Sequence, residues 1–103
     1  MLIILSKAPW TENYSSILEI AKKTAKNGEK TAVLYIQDAC MAATMKKYCD
    51  KLFENKIDVY ALRADCEARG LMEKLRPRVK VLNYKQWVET VMIANDKIVS
   101  WTI

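Results

Sequence analysis

The sequence predicts a three-layer α/β/α chain, doubly wound about a mostly parallel sheet of about five strands in the flavodoxin or Rossmann-like manner, as one domain over 1–103. Three observations carry this expectation. Short apolar runs alternate with longer amphipathic stretches from end to end. The inner runs are apolar throughout, as strands covered on both faces are. The 103 residues, 51% apolar with two glycines and two prolines, contain no linker-like or repeated segment, and a chain of this size buries about two-thirds of its unfolded surface.

The opening run Leu2–Leu5 stops at the Ser6-Lys7-Ala8-Pro9 turn signal and reads as the first strand. Over 11–27, Tyr14, Ile17, Leu18, Ala21 and Ala25 recur at helical steps, with Glu19, Lys22, Lys23 and Lys26 between them. Thr11 is the expected N-cap of that helix and Asn27-Gly28 its left-handed stop. Residues 31–37 hold the continuous run from Ala32 to Ile36, which predicts a central parallel strand. Asp38 then stands where an N-cap is wanted, and Met41, Ala42, Met45, Tyr48, Cys49, Leu52 and Phe53 trace one face of a second helix reaching Glu54-Asn55. A third strand is expected over 57–62, and a short helix over 64–69 closing on Gly70. Pro77 separates the basic stretch 74–78 from a small strand over 79–82. A helix follows over 84–94 with Trp87, Val88, Val91 and Met92 on one side. Over 97–103, Val99, Trp101 and Ile103 alternate with Ser100 and Thr102, the pattern of a half-exposed edge strand.

The composition removes several chemistries. There is no histidine, so Ser/His/Asp triads, Cys/His dyads and His-containing zinc sites are excluded. The two glycines, Gly28 and Gly70, follow no strand, so no glycine-rich phosphate cradle is present and no cofactor is expected. Cys40, Cys49 and Cys66 are odd in number and form no CxxC pair, which predicts free thiols. The longest apolar run, Met1 to Leu5, is far short of a membrane span, so a cytoplasmic chain without membrane contact is expected. A net charge of +5 favours acidic partners without the strong excess of a dedicated nucleic-acid binder.

Three stretches, MLIILSKAPW at the start, QDACMAA after the second strand and VYALRADCEARGL in and after the third, occur in an order and spacing that resemble the DsrH/TusB family of small sulfur-relay proteins. Members of that family open on a strand ending near Ser-Pro-Trp. They carry a Gln-Asp-Gly-x-x-Ala-Ala turn and a Val-Tyr-Ala-Leu-x-x-Asp-x-x-Ala-Arg-Gly segment. The resemblance implies a subunit of a hetero-oligomer with DsrE- and DsrF-like (TusD/TusC-like) partners that passes sulfur as cysteine persulfide. The outlet is tRNA wobble-uridine 2-thiolation or dissimilatory sulfur metabolism. It also implies sulfur-donor and sulfur-acceptor proteins as partners, with tRNA met only indirectly. The chain departs from the pattern where Ala39 replaces the turn glycine and Cys40 a usually aliphatic residue. The main sulfur-carrying cysteine of the related DsrE/TusD subunits lies at the end of the third strand, where this chain has Leu62 and Arg63, and no cysteine lies in 11–27.

The thiols are therefore weighed on physical grounds. Cys40 is expected in the first turn of the second helix, where unpaired N–H groups favour a thiolate and the Asp38 carboxylate opposes it; the alternative is apolar packing against the sheet. Cys66 lies between Arg63 and Arg69, with Arg69 on its helical face as a candidate counter-ion and Asp65 and Glu67 opposing; the alternative is a thiol without a task. Cys49 shares a face with Met45, Leu52 and Phe53 and reads as core. Asp38, Trp10, Arg63, Asp65 and Arg69 are candidates for site support or subunit contact, with local burial or solvation as the competing reading. Lys74, Arg76, Arg78 and Lys80 form the densest basic cluster, read as a solvated loop before an RNA contact because no aromatic cluster accompanies it.

Two functional readings follow. The first is a sulfur-relay subunit acting as scaffold or auxiliary rather than main carrier, at most a sulfurtransferase subunit and not an independent enzyme. The alternative is a non-enzymatic oligomeric module, self-associating or binding a small anion or protein partner in the strand-end crevice. The apolar edge strand favours a covering subunit under either.

Overall fold

The computed structural model describes residues 1–11, 14–93 and 98–101, with Trp101 described by its backbone alone. Five parallel strands, β1 (Leu2–Leu5), β2 (Ala32–Tyr35), β3 (Asp58–Leu62), β4 (Lys80–Leu82) and β5 (Ile98–Trp101), form one sheet in the order β4-β3-β2-β1-β5. The helices are α1 (Tyr14–Lys26), α2 (Lys46–Glu54), α3 (Arg63–Ala68) and α4 (Tyr84–Ile93). A 3-10 helix, Gln37–Thr44, precedes α2, and a 3-10 turn, Met72–Lys74, precedes β4.

The order explains the layering. The connections from β1 to β4 all step in one direction, so right-handed crossovers put α1, α2 and α3 on the same face; the return to β5 puts α4 alone on the other. Side chains alternate accordingly. Ile3, Leu5, Val33, Tyr35, Val59 and Ala61 meet Tyr14, Ile17 and Ala21 of α1, Leu52 of α2 and Cys66 of α3. Leu2, Ile4, Leu34 and Leu82 face the other way, toward Trp87 and Val91 of α4. Helices thus cover both faces as expected, three against one.

Most boundaries agree with the sequence pattern within a residue or two. Asn27-Gly28 does end α1, with Gly28 at φ +86° and its N–H donating to the Ala25 carbonyl at 3.0 Å. Three expectations are corrected. The predicted second helix is two pieces, the 3-10 helix and α2, separated by extended Met45 (φ −109°, ψ 119°). The expected side-chain cap at Asp38 does not form, because Ile36 occupies the cap of the 3-10 helix; the Thr11 hydroxyl donates to the Ala8 carbonyl at 2.6 Å, and its expected cap of α1 falls on 12–13, outside the described residues. On α4, Trp87 and Val91 pack inward, but Val88 (46% exposed) and Met92 (67%) do not, because one helix on an open face buries only a narrow stripe. The edge position of β5 is as expected; residues 102–103 lie outside the described part.

The covered face contains a polar device. The Tyr14 hydroxyl donates to that of Tyr35 at 2.8 Å, and Tyr14 stacks edge-on with Tyr48 at 5.1 Å and 78°. Burial raises the pKa of both phenols. Removing one hydroxyl strands the other, a cost of about 1–3 kcal/mol, whereas removing both is nearly neutral. Urea denaturation is expected to show Tyr14→Phe and Tyr35→Phe each destabilised by that amount and the double variant by less than their sum; additive losses would contradict the pairing.

Candidate functional site

The site candidates converge at the carboxyl ends of β2 and β3. After Tyr35 and Ile36 the chain reverses at Gln37, which takes φ +50°, a conformation uncommon without glycine. This reversal aims the Gln37 N–H at the Asp65 carboxylate (Oδ2, 2.7 Å) in the first turn of α3. It also lays the 3-10 helix on the sheet, where Ala39, Cys40, Ala42 and Ala43 are each 0% exposed. Only small side chains permit so close an approach. The Ala39 N–H reaches the Ser6 carbonyl at 3.2 Å, linking this segment to the end of β1 as well.

A second link lies on the solvent side. Arg69 donates from Nε (3.2 Å) and Nη2 (3.1 Å) to Asp38 Oδ1, and from Nη1 to the Asp65 carbonyl at 3.3 Å. The pair is exposed, so it positions the two segments rather than supplying much stability, about 1 kcal/mol or less. Gly70 then turns the chain at φ +65°, the stop that its place after α3 predicts.

Beneath these contacts the thiols of Cys40 and Cys66 interact with each other, each shifting the other's pKa. The Cys40 Sγ also donates to the Tyr35 carbonyl at 3.5 Å. Both residues are 0% exposed. Their interaction acts in opposite directions on the two pKa values. It lowers that of Cys66, with Arg69 assisting and burial and Asp65 opposing. The same interaction and burial raise that of Cys40, with Asp65 adding to the rise. Cys49 stands apart, its thiol donating to the Ala42 carbonyl at 3.2 Å and pushed up to about 12 by burial.

Cys40, Cys66, Asp38, Asp65 and Arg69 are thus brought together, and two other candidates are not. Arg63 pairs with Glu67 at 3.6 Å on the exposed side of α3, and Trp10, 64% exposed, stands after β1. Two electrostatic expectations are corrected. The carboxylate acting on Cys40 is Asp65, because Arg69 engages Asp38; and Cys40 faces the Tyr35 carbonyl, an acceptor that favours the thiol, rather than free N–H groups. The sequence reading missed Gln37 as the pivot and the thiol-thiol contact; a polar residue ending an apolar strand was the available signal. Ala39 for glycine is accommodated because the positive φ falls at Gln37.

The basic cluster is engaged locally. Arg76 meets Asp50 at 3.9 Å, Lys80 meets Asp58 at 3.9 Å, and Arg78 lies 4.5 Å over the Phe53 ring. Among the described residues no group of three or more His, Cys, Asp or Glu is placed to hold a metal ion, and no helix is long and apolar enough to cross a membrane.

The model of the family described as DsrH like protein matches residues 7–97. Curated relatives include Protein TusB of Buchnera aphidicola subsp. Baizongia pistaciae, 24% identical across 98% of this chain and 100% of its own length. Protein TusB of Erwinia tasmaniensis is 29% identical over the same shares, and that of Escherichia coli K12 is 29% identical over 85% and 87%. Among solved structures, the ychN protein from Escherichia coli superimposes with a TM-score of 0.80 at 14% identity, covering 97% of both chains. A conserved protein of unknown function from Bacteroides thetaiotaomicron, BT1422, gives 0.79 at 14%, covering 97% and 93%. At that identity the likeness is one of fold.

Thiol burial has a pH consequence. An acid whose folded pKa is raised keeps its proton when the unfolded chain has lost it, so the stabilisation is complete below the unfolded pKa and declines as pH rises beyond it. For Cys49 the decline runs from about pH 9 toward its folded value of about 12, at about 1.4 kcal/mol per pH unit. Urea denaturation at several pH values above 8.5 is expected to show a shallower loss for Cys49→Ala than for wild type; equal slopes would contradict the assignment.

Proposed function

The chain belongs to the DsrH-like protein family, and from that premise we propose that it is an auxiliary or scaffold subunit of a cytoplasmic sulfur-relay complex, not the main sulfur carrier. The observation that carries this reading is that Cys40, Cys49 and Cys66 are each 0% exposed. Persulfide transfer needs a thiolate that a donor's sulfur can reach in line, and a sealed thiol offers neither charge nor access. The position at which related subunits carry their cysteine holds Leu62 and Arg63 here.

A subunit that does not carry sulfur contributes through contact. Tyr84, Val88 and Met92 recur at four-residue steps on the open side of α4, followed by Ile93, and Ile98 and Val99 of the edge strand are exposed. An apolar helix stripe and a bare parallel edge on one molecule are the features of a surface made to be covered. The DsrE- and DsrF-like subunits implied by the family are the proposed cover. The name Protein TusB carried by the relatives favours tRNA wobble-uridine thiolation as the outlet.

The pairing of Arg69 with Asp38 favours this reading over the small-anion alternative. Intact-mass analysis after incubation with a cysteine desulfurase and free cysteine tests it. The native chain is expected to gain no sulfur, while unfolded chain gains it at its cysteines. A one-sulfur adduct on native protein, lost in Cys40→Ser or Cys66→Ser, would make the chain a carrier.

A further inference from the structure

Cys40 and Cys66 enter the preceding argument only as groups that donors cannot reach, yet two buried thiols in mutual contact are not inert in the way that one is. The two sulfurs belong to segments far apart in sequence, one behind β2 and one in α3, and are held in contact from both sides. Gln37 N–H binds Asp65 at 2.7 Å next to Cys66, and Asp38 binds Arg69 at 3.1 Å on the solvent side. Neither contact involves a sulfur, so the segments remain apposed whatever happens to the thiols. Cys49, equally buried, provides the contrast: its thiol donates to the Ala42 carbonyl at 3.2 Å, and its pKa is set by burial, Asp50 and Arg76.

From this geometry we propose that Cys40 and Cys66 form an oxidisable dithiol, closed to an intrachain disulfide by small hydroperoxides. Full burial selects the oxidant. A bulky disulfide or a protein donor cannot reach either sulfur, whereas hydrogen peroxide is close to water in size and needs only a local opening of the exposed side chains of Glu67 and Arg69 that flank Cys66. Cys66 is the nucleophile, because the Cys40 S–H is held by the Tyr35 carbonyl at 3.5 Å while Cys66 lies one turn from the Arg69 guanidinium, which bonds the neighbouring Asp65 carbonyl.

The chemistry balances without a further reagent. The Cys66 thiolate attacks one peroxide oxygen, the O–O bond breaks, and the departing hydroxide takes up the proton that Cys66 released, giving one water and a Cys66 sulfenic acid. The Cys40 sulfur then attacks the Cys66 sulfur, the S–O bond breaks, and hydroxide leaves with the Cys40 proton as a second water. Two thiols are oxidised by two electrons as one peroxide is reduced to two waters. The new bond fastens the 3-10 helix to α3 and so stiffens the strand-end surface that carries Asp38, Asp65 and Arg69.

The test uses the native full-length chain treated with hydrogen peroxide, then unfolded in N-ethylmaleimide and digested without reductant. Expected are a Cys40–Cys66 linked peptide two hydrogens lighter than its parts, alkylated Cys49, and loss of the link with dithiothreitol. The Cys40–Cys66 link should exceed any pairing with Cys49 by at least about tenfold. In Cys40→Ala, peroxide followed by unfolding in dimedone should trap a Cys66 sulfenic acid that the same treatment does not trap in wild type; this arm is a second readout, and the wild-type result stands if the variant does not fold. Sulfinic or sulfonic acid on Cys66 without the link, random pairing that includes Cys49, or intermolecular disulfides in its place would each overturn the proposal. None of these results depends on whether the chain serves a sulfur relay.

Discussion

The structure depends most on the complete burial of β2. Val33, Leu34 and Tyr35 are each 0% exposed, which requires cover on both faces and a neighbour on both edges. A strand so enclosed cannot run on into solvent as a loop, because its last backbone groups need partners. The chain turns at once, Gln37 takes the left-handed conformation, and the released N–H finds the Asp65 carboxylate. That single hydrogen bond couples the exit of β2 to the exit of β3 and decides where the 3-10 helix lies. The small residues Ala39, Cys40, Ala42 and Ala43 follow from it, since nothing larger fits between the helix and the sheet.

The same constraint shapes the thiol chemistry. Cys40 is carried inward by the 3-10 helix and meets Cys66 coming from α3, so the sulfurs touch where both are sealed. Burial keeps them beyond the reach of a large donor; contact gives them a reaction of their own. A relay carrier needs an exposed thiol, and this chain buries its thiols at the corresponding end of the sheet. Its exposed chemistry is apolar instead, along α4 and the edge strand, and that division between a sealed thiol layer and an open apolar face is the physical content of the proposed auxiliary role.

Much of this was legible in the residues. Parallel strands appear as uninterrupted apolar runs, and the glycines at 28 and 70 mark helix ends, both with positive φ. The strand-end location of the site follows from the architecture. What pattern reading could not reach was tertiary. The split at Met45 is invisible because 3-10 and α segments share nearly the same apolar spacing over two turns. The pairing of Asp38 with Arg69 displaced a cap that local propensity favoured. Val88 and Met92 read as sharing one side with Trp87 and Val91 because periodicity cannot tell a helix on a crowded face from one on a nearly bare face. The contact between Cys40 and Cys66 has no local signature at all, since it depends on how two crossovers land.

The most direct test of the auxiliary role is sulfur transfer by the assembled complex when Cys40, Cys49 and Cys66 of this chain are all replaced by alanine, with assembly checked in the same preparation. The account predicts transfer within about twofold of the wild-type complex. Loss of transfer from an intact complex would show that sulfur passes through this subunit and would contradict it.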